Sequence, residues 1–396
     1  MNLLGRYTTV FFIPLFIQFL LLAWFYNIPT HWLESALFLP LMLFTIGFVF
    51  DSTFRRGFSH QNMVGLNPNC HNQNVKVVVF SFAVLVVILM PMDIALNGLK
   101  ILKPETYAQF HPIGRFVRHI TNFCWVLIPF AFFYLRGKNL VVSILFILAL
   151  TFPIIIVDRN RFLLSCFCLI YLYYFNWNTK SCSNPFKSAN VMLFTFVSLI
   201  LLVFSLVGVY RSGTAFIVET SGNVFIEGAF PLKDNFGQLP PSMQQVILYV
   251  TTPLLNFTTI LVEYFKNTDF LLSQLAPFNR EQFSAYPFSP ILVQRFNVGT
   301  EFFPFLLYGG KSLVVLAGML TSLYFVVSVK LHEKYCNIFT FLIYIKSLYS
   351  ILLIGFAPQI IILYNLASII LILILWICSV LMKPYIKKSA VEYGTK

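Results

Sequence analysis

The sequence predicts an all-α polytopic membrane protein, and three observations carry that prediction. Hydrophobic residues make up 58% of the 396 positions and charged residues only 10%. With a mean hydropathy of +0.81, the chain has too little polar surface to enclose a water-soluble body of this length. Its apolar runs approach roughly twenty residues, the length a helix needs to cross a hydrocarbon core. They lack the period-2 alternation of barrel strands, and only helices or closed barrels satisfy backbone polar groups in lipid.

Spans are expected over 7–26 and 32–50, joined by a turn at Pro29 and followed by a polar segment carrying Arg55 and Arg56. Lys and Arg concentrate on the cytoplasmic side, so that segment and the amino terminus are placed there. A Val- and Ile-rich span over 76–95 contains Pro91 and leads through Asp93 to an outer segment with Lys100, Lys103, Arg115 and Arg118, against the usual charge bias. Spans over 121–135, 140–157, 162–177 and 190–210 follow, the last ending at Arg211. From the other end, the basic tail Lys383, Lys387, Lys388 and Lys396 places the carboxyl terminus in the cytoplasm after spans over 312–329, 337–355 and 360–382. Forward and backward counts place Arg211 and Lys311 on one outer side. The expectation is about ten spans in a single integral membrane domain, 1–396, with 211–310 as a large outer loop region. The first apolar run is too long for a signal-peptide core and is kept as a span. The seven cysteines fall in spans or on the cytoplasmic side, and no disulfide framework is expected.

Within the outer region, 246–265 is apolar yet patterned. Gln245, Thr252, Asn256, Thr259 and Glu263 share one helical face, opposite Ile247, Val250, Leu254, Phe257, Leu261 and Phe265. This pattern predicts an amphipathic or re-entrant helix bent at Pro253; the bland alternative is a bundle helix whose polar face packs inside.

The net charge of +13 reflects membrane anchoring rather than nucleic-acid binding. On the expected topology, Arg115, Arg118, Arg159, Arg161, Arg211, Arg280 and Arg295 lie outside, whereas most lysines lie inside. Guanidinium groups bind phosphate as forks, so an Arg-rich outer face suits a pyrophosphate-linked substrate; lipid headgroups or ordinary ion pairs would explain the same residues more simply. No two carboxylates stand within three residues of each other, His is scattered, and no phosphate-cradling Gly-rich loop is present. Metal, nucleotide and other cofactors therefore have no sequence support.

Three segments together resemble Wzy-type oligosaccharide repeat-unit (O-antigen or polysaccharide) polymerases. They are Asp158-Arg159-Asn160-Arg161-Phe162-Leu163-Leu164, then Tyr210-Arg211-Ser212, then Asn297-Val298-Gly299-Thr300-Glu301-Phe302-Phe303-Pro304 followed by Tyr308-Gly309-Gly310. The likeness is in the order of parts over about residues 150–330, and it departs from the commoner pattern at Gly309, where an acidic residue often precedes Gly. The resemblance implies a GT-C-like glycosyltransferase of the bacterial inner membrane that polymerises undecaprenyl-pyrophosphate-linked oligosaccharide units on the periplasmic face, as in lipopolysaccharide biosynthesis. Membrane lipid and a chain-length regulator protein are the implied partners. It assigns Arg159, Arg161 and Arg211 to the pyrophosphate, with Arg280 and Arg295 on the same outer face, and Asn297 and Thr300 to the loop or the sugar.

For the proton acceptor, Glu301 ranks first because it sits beside the 297–300 segment, with Glu263 and His119 after it. Each could equally be a structural hydrogen-bond partner. Two other functions stay open: an O-antigen ligase, which would be expected to carry a loop His that is absent between His119 and His332, and a lipid-linked oligosaccharide flippase or transporter, which would need polar residues inside several spans.

Overall fold

The computed structural model describes residues 6–54, 58, 73–103, 106, 111–135, 137–178, 206, 232–276 and 299–382. Among the described residues the regular structure is helical, apart from one isolated bridge between Tyr26 and Leu232. The helices are α1 (Tyr7–Phe25), α2 (Thr30–Ala36), α3 (Phe38–Thr53), α4 (Gln73–Asn97), α5 (Pro112–Thr121), α6 (Leu127–Tyr134), α7 (Asn139–Ile155), α8 (Arg159–Asn178), α9 (Asp234–Gly237), α10 (Pro241–Glu263), α11 (Thr268–Leu275), α12 (Phe303–Tyr335), α13 (Ile338–Leu352) and α14 (Leu363–Leu381). Among the described residues, six helical stretches are long and apolar enough to cross a membrane: Tyr7–Phe25, Thr30–Thr53, Asn74–Leu102, Pro112–Tyr134, Pro241–Glu263 and Phe303–Tyr335. The class expected from composition is therefore the one observed.

The chain divides into two compact units. The first comprises 1–59, 201–327 and 347–366. Here α1 packs along α3, and the close approach rests on Gly47, where any Cβ would lie 2.6 Å from the Thr8 Cα. Asp51, in the last turn of α3, accepts hydrogen bonds from the Tyr7 and Thr8 amides at 2.9 and 3.0 Å. A carboxylate on the unsatisfied amides at a helix start is favoured by both the hydrogen bonds and the helix dipole. The Tyr7 ring gathers Phe11, Phe58 and Phe325 with centroids 6.2, 5.4 and 6.1 Å away.

Helix α10 packs against α1 and α2, and the Tyr26 hydroxyl meets the Thr251 hydroxyl at 3.1 Å. The spacing of its polar residues is as expected, but both stripes are buried. Gln245, Thr252, Asn256 and Thr259 are buried, and so are Ile247, Leu254, Phe257 and Leu261 on the other side. The threonines tolerate this because their hydroxyls bond backward along the helix: Thr252 to the Leu248 carbonyl at 2.6 Å, Thr258 to Leu254 at 2.8 Å and Thr259 to Leu255 at 2.9 Å. The polar stripe thus faces protein, the alternative that residue pattern alone left open. Helix α12 breaks at Gly310, whose φ of 71° belongs to glycine.

The second unit comprises 60–200, 328–346 and 367–396. Helices α6, α7 and α8 pack on one another and on the 3-10 stretch Asn122–Val126, while α4 packs along α5. The α7–α8 turn is tight: Val157 takes a φ of 56°, unusual for a β-branched residue. Asn337 and Thr340 start α13 with reciprocal bonds, the Thr340 amide to Asn337 Oδ1 at 2.9 Å and the Asn337 amide to Thr340 Oγ1 at 3.2 Å. Thr340 Oγ1 also meets His332 Nδ1 at 2.9 Å.

Candidate functional site

The sequence-predicted site residues fall in different parts of this architecture. Arg211, Arg280, Arg295 and Asn297 lie outside the described residues, as do 211–231 and 277–298 of the expected outer loop as a whole. Arg159 and Arg161 lie together on the first turn of α8. Asp158 organises that turn: one carboxylate oxygen accepts from the Arg161 amide at 3.0 Å, and the other pairs with Arg161 Nε, also at 3.0 Å. Two cationic side chains at the positive end of a helix are unfavourable to the helix dipole, and a carboxylate at the same end offsets that. Arg161 Nη1 is buried and has no hydrogen-bond partner among the described residues. One helical turn further on, Ser165 Oγ is also buried and unsatisfied among them.

Thr300 and Glu301 precede α12, and both are fully buried. Thr300 Oγ1 has no partner among the described residues. Glu301 is heavily engaged. Its carboxylate accepts from the amide of Gln359, from that of Ile360 at 3.1 and 3.2 Å and from that of Ile361 at 2.9 Å. Its own amide donates to the Ile354 carbonyl at 2.9 Å. Both ends of the residue are therefore tied to the non-helical segment 353–362 between α13 and α14. A proton acceptor must offer a lone pair to the substrate hydroxyl; the Glu301 oxygens offer theirs to three consecutive backbone amides. The geometry is that of an anchor for the 353–362 turn.

Glu263 is exposed at the end of α10, where Tyr264 closes the helix in the left-handed conformation with a φ of 54°. His119 is exposed on α5. Of the three proton-acceptor residues predicted from sequence, these two present accessible side chains.

A cluster that sequence inspection left unconnected occupies the junction of α4 and α5. Asp93 is fully buried and Arg118 only 5% exposed. Arg118 Nε donates to both Asp93 oxygens, at 2.9 and 2.7 Å; Thr121 Oγ1 and Asn97 Nδ2 donate to them at 2.6 and 2.7 Å. Asn97 also reaches the Gly114 carbonyl at 3.0 Å and accepts from the His111 amide at 3.2 Å. Nearby, Lys100 Nζ donates to the Thr106 carbonyl at 2.9 Å. Arg118, one of the arginines expected on the outer side of the membrane, is buried in the protein and paired with Asp93. The available signal was the i, i+4 pair Asp93 and Asn97 opposite the i, i+3 pair Arg118 and Thr121, which gives each of two helices a short polar face.

Comparison of the chain with protein-family models, curated proteins and solved structures finds no match to any of them.

Proposed function

We propose that the protein is a membrane glycosyltransferase that polymerises undecaprenyl-pyrophosphate-linked oligosaccharide units, as the O-antigen and related surface-polysaccharide polymerases do. In this reading it lies in a bacterial inner membrane with both termini cytoplasmic, has about ten spans, and works at its periplasmic face with the 211–310 region. The observation that carries the reading is the Arg159 and Arg161 pair on the first turn of α8, beside Asp158. Helix-terminal amides and guanidinium groups together attract phosphate oxygens.

During transfer the acceptor hydroxyl oxygen bonds to the anomeric carbon of the growing chain. The bond from that carbon to the lipid pyrophosphate breaks, and Arg159, Arg161 and Arg211 stabilise the departing charge. Glu263 or His119 takes the hydroxyl proton, and the reaction runs without metal. Arg159→Ala and Arg161→Ala are each expected to shorten the polymer made in cells by a strain lacking the native enzyme. A charge-assisted phosphate bond contributes roughly 1.5–3 kcal/mol, so donor use falls by about tenfold or more at normal protein levels. Arg161→Lys should rescue poorly, because an ammonium cannot replace both the fork and the Nε contact to Asp158. Full-length polymer from both Ala variants contradicts the assignment.

A transporter of the same lipid-linked substrate is the second reading, and one observation favours it. Buried polar or charged side chains occur in several apolar helices: Gln18 in α1, Asp93 and Asn97 in α4, Gln245 and Asn256 in α10 and Lys346 in α13. Intramembrane polar groups of this kind often mark a translocation path.

A further inference from the structure

The expected outer segment between α4 and the start of the next span carries its basic residues in two different ways, and the transfer steps above give these lysines and arginines no role. Lys100 and Arg118 are buried, the latter on Asp93. Lys103 and Arg115 are exposed. Around α5 the residues sort into three stripes at 100° per residue. Gly114, Val117, Arg118 and Thr121 face the protein. Ile113 and Phe116 are 58% and 67% exposed, and Leu102 in the preceding turn is 71% exposed. Arg115 and His119 form the third stripe, and His111 one turn earlier continues it.

Depth gives these stripes a meaning. The 3-10 stretch and α6 continue α5 as one helical path to Tyr134. Counting back from Tyr134 to Val117 already covers about 30 Å, the thickness of a hydrocarbon core. Positions 111–116 therefore emerge at headgroup level, where large apolar side chains insert among acyl chains and cationic ones reach the phosphates. Among the described residues of 98–121, every exposed charged side chain is basic.

We propose that the exposed residues of α5 and of the 3-10 turn before it, the basic Lys103 and Arg115 with the apolar Leu102, Ile113 and Phe116, form a binding surface for anionic phospholipid of the surrounding bilayer. Lipid phosphates meet Lys103 and Arg115, and the apolar side chains lie among acyl chains. The neutralised Asp93 and Arg118 pair fixes the segment at that depth by fastening α5 to the end of α4.

The test uses the full chain reconstituted in phosphatidylcholine vesicles, with electron spin resonance reading the association of spin-labelled phosphatidylglycerol relative to spin-labelled phosphatidylcholine. The wild type is expected to select phosphatidylglycerol. Lys103→Gln and Arg115→Gln should each reduce that selectivity by roughly fivefold, the effect of one basic group near an anionic surface. Arg115→Lys should keep it, since a point charge suffices. Lys330→Gln with Lys334→Gln removes the same net charge elsewhere and should leave the selectivity in place. Thermal melting in detergent checks that the variants are folded; both altered side chains are exposed. Absence of selectivity in the wild type, its persistence in the folded Lys103→Gln, Arg115→Gln double variant, or an equal loss on removing Lys330 and Lys334 would each overturn the proposal.

Discussion

Asp93→Ala is expected to destabilise the second unit by about 3–5 kcal/mol, the typical cost of stranding one member of a buried ion pair. The cost comes less from the lost attraction than from what remains: the Arg118 guanidinium, 5% exposed, would keep its desolvation penalty without a counter-charge. Thr121 Oγ1 and Asn97 Nδ2 would lose their acceptor in the same step. Unfolding titrations in mixed micelles should show the loss for Asp93→Ala and recover most of it in Asp93→Leu with Arg118→Met, because replacing both partners by apolar residues of similar volume removes the buried pair as a whole. Wild-type stability for the single variant would contradict the pairing.

Glu301→Gln separates an anchor from a catalytic base. As an anchor, the carboxylate satisfies the amides of Gln359, Ile360 and Ile361. A Gln offers one acceptor oxygen and turns an NH2 group toward an amide donor. Hydrogen bonds to a charged group contribute roughly 1.5–3 kcal/mol each, so losing part of this set should cost about 3 kcal/mol. Amide hydrogen exchange at 359–361 should then accelerate by roughly 100-fold, that free energy expressed as a ratio of open to closed states. Glu301→Asp should show an intermediate effect, since its shorter side chain cannot reach all three amides at once. A base would behave differently: exchange at 359–361 would stay as in the wild type while turnover fell by a factor of 10² to 10⁴.

The two pins also mark what residue order could and could not disclose. The helical membrane class was legible because hydropathy acts locally; which helices cross was less so, since 241–263, expected to be interfacial or re-entrant, is one of the six described stretches long and apolar enough to span, whereas the expected spans over 140–157 and 337–355 are shorter helices. The helix at 241–263 was legible too, since Gln245, Thr252, Asn256 and Thr259 keep one face; that its opposite face is buried as well depends on neighbours far away in the chain. The Asp158 and Arg161 contact follows from an i, i+3 spacing on α8. Nothing local links Asp93 to Arg118, 25 positions apart, or Glu301 to residues 58 to 60 positions on. Pairings of that kind are set by how helices pack, and a lone carboxylate in an apolar stretch looks the same whether it meets a substrate or a backbone. Glu301 ranked first as a base for its position beside the 297–300 segment, and the turn that occupies it lies two helices further on.

The polymerase reading is tested most directly by supplying the purified full-length protein, in proteoliposomes, with undecaprenyl-pyrophosphate-linked oligosaccharide units and separating the products by length. The account predicts a ladder of lengthening lipid-linked chains, formed in EDTA as well as without it and lost in the Arg159→Ala, Arg161→Ala double variant. Units that cross the bilayer without ever growing longer would contradict it.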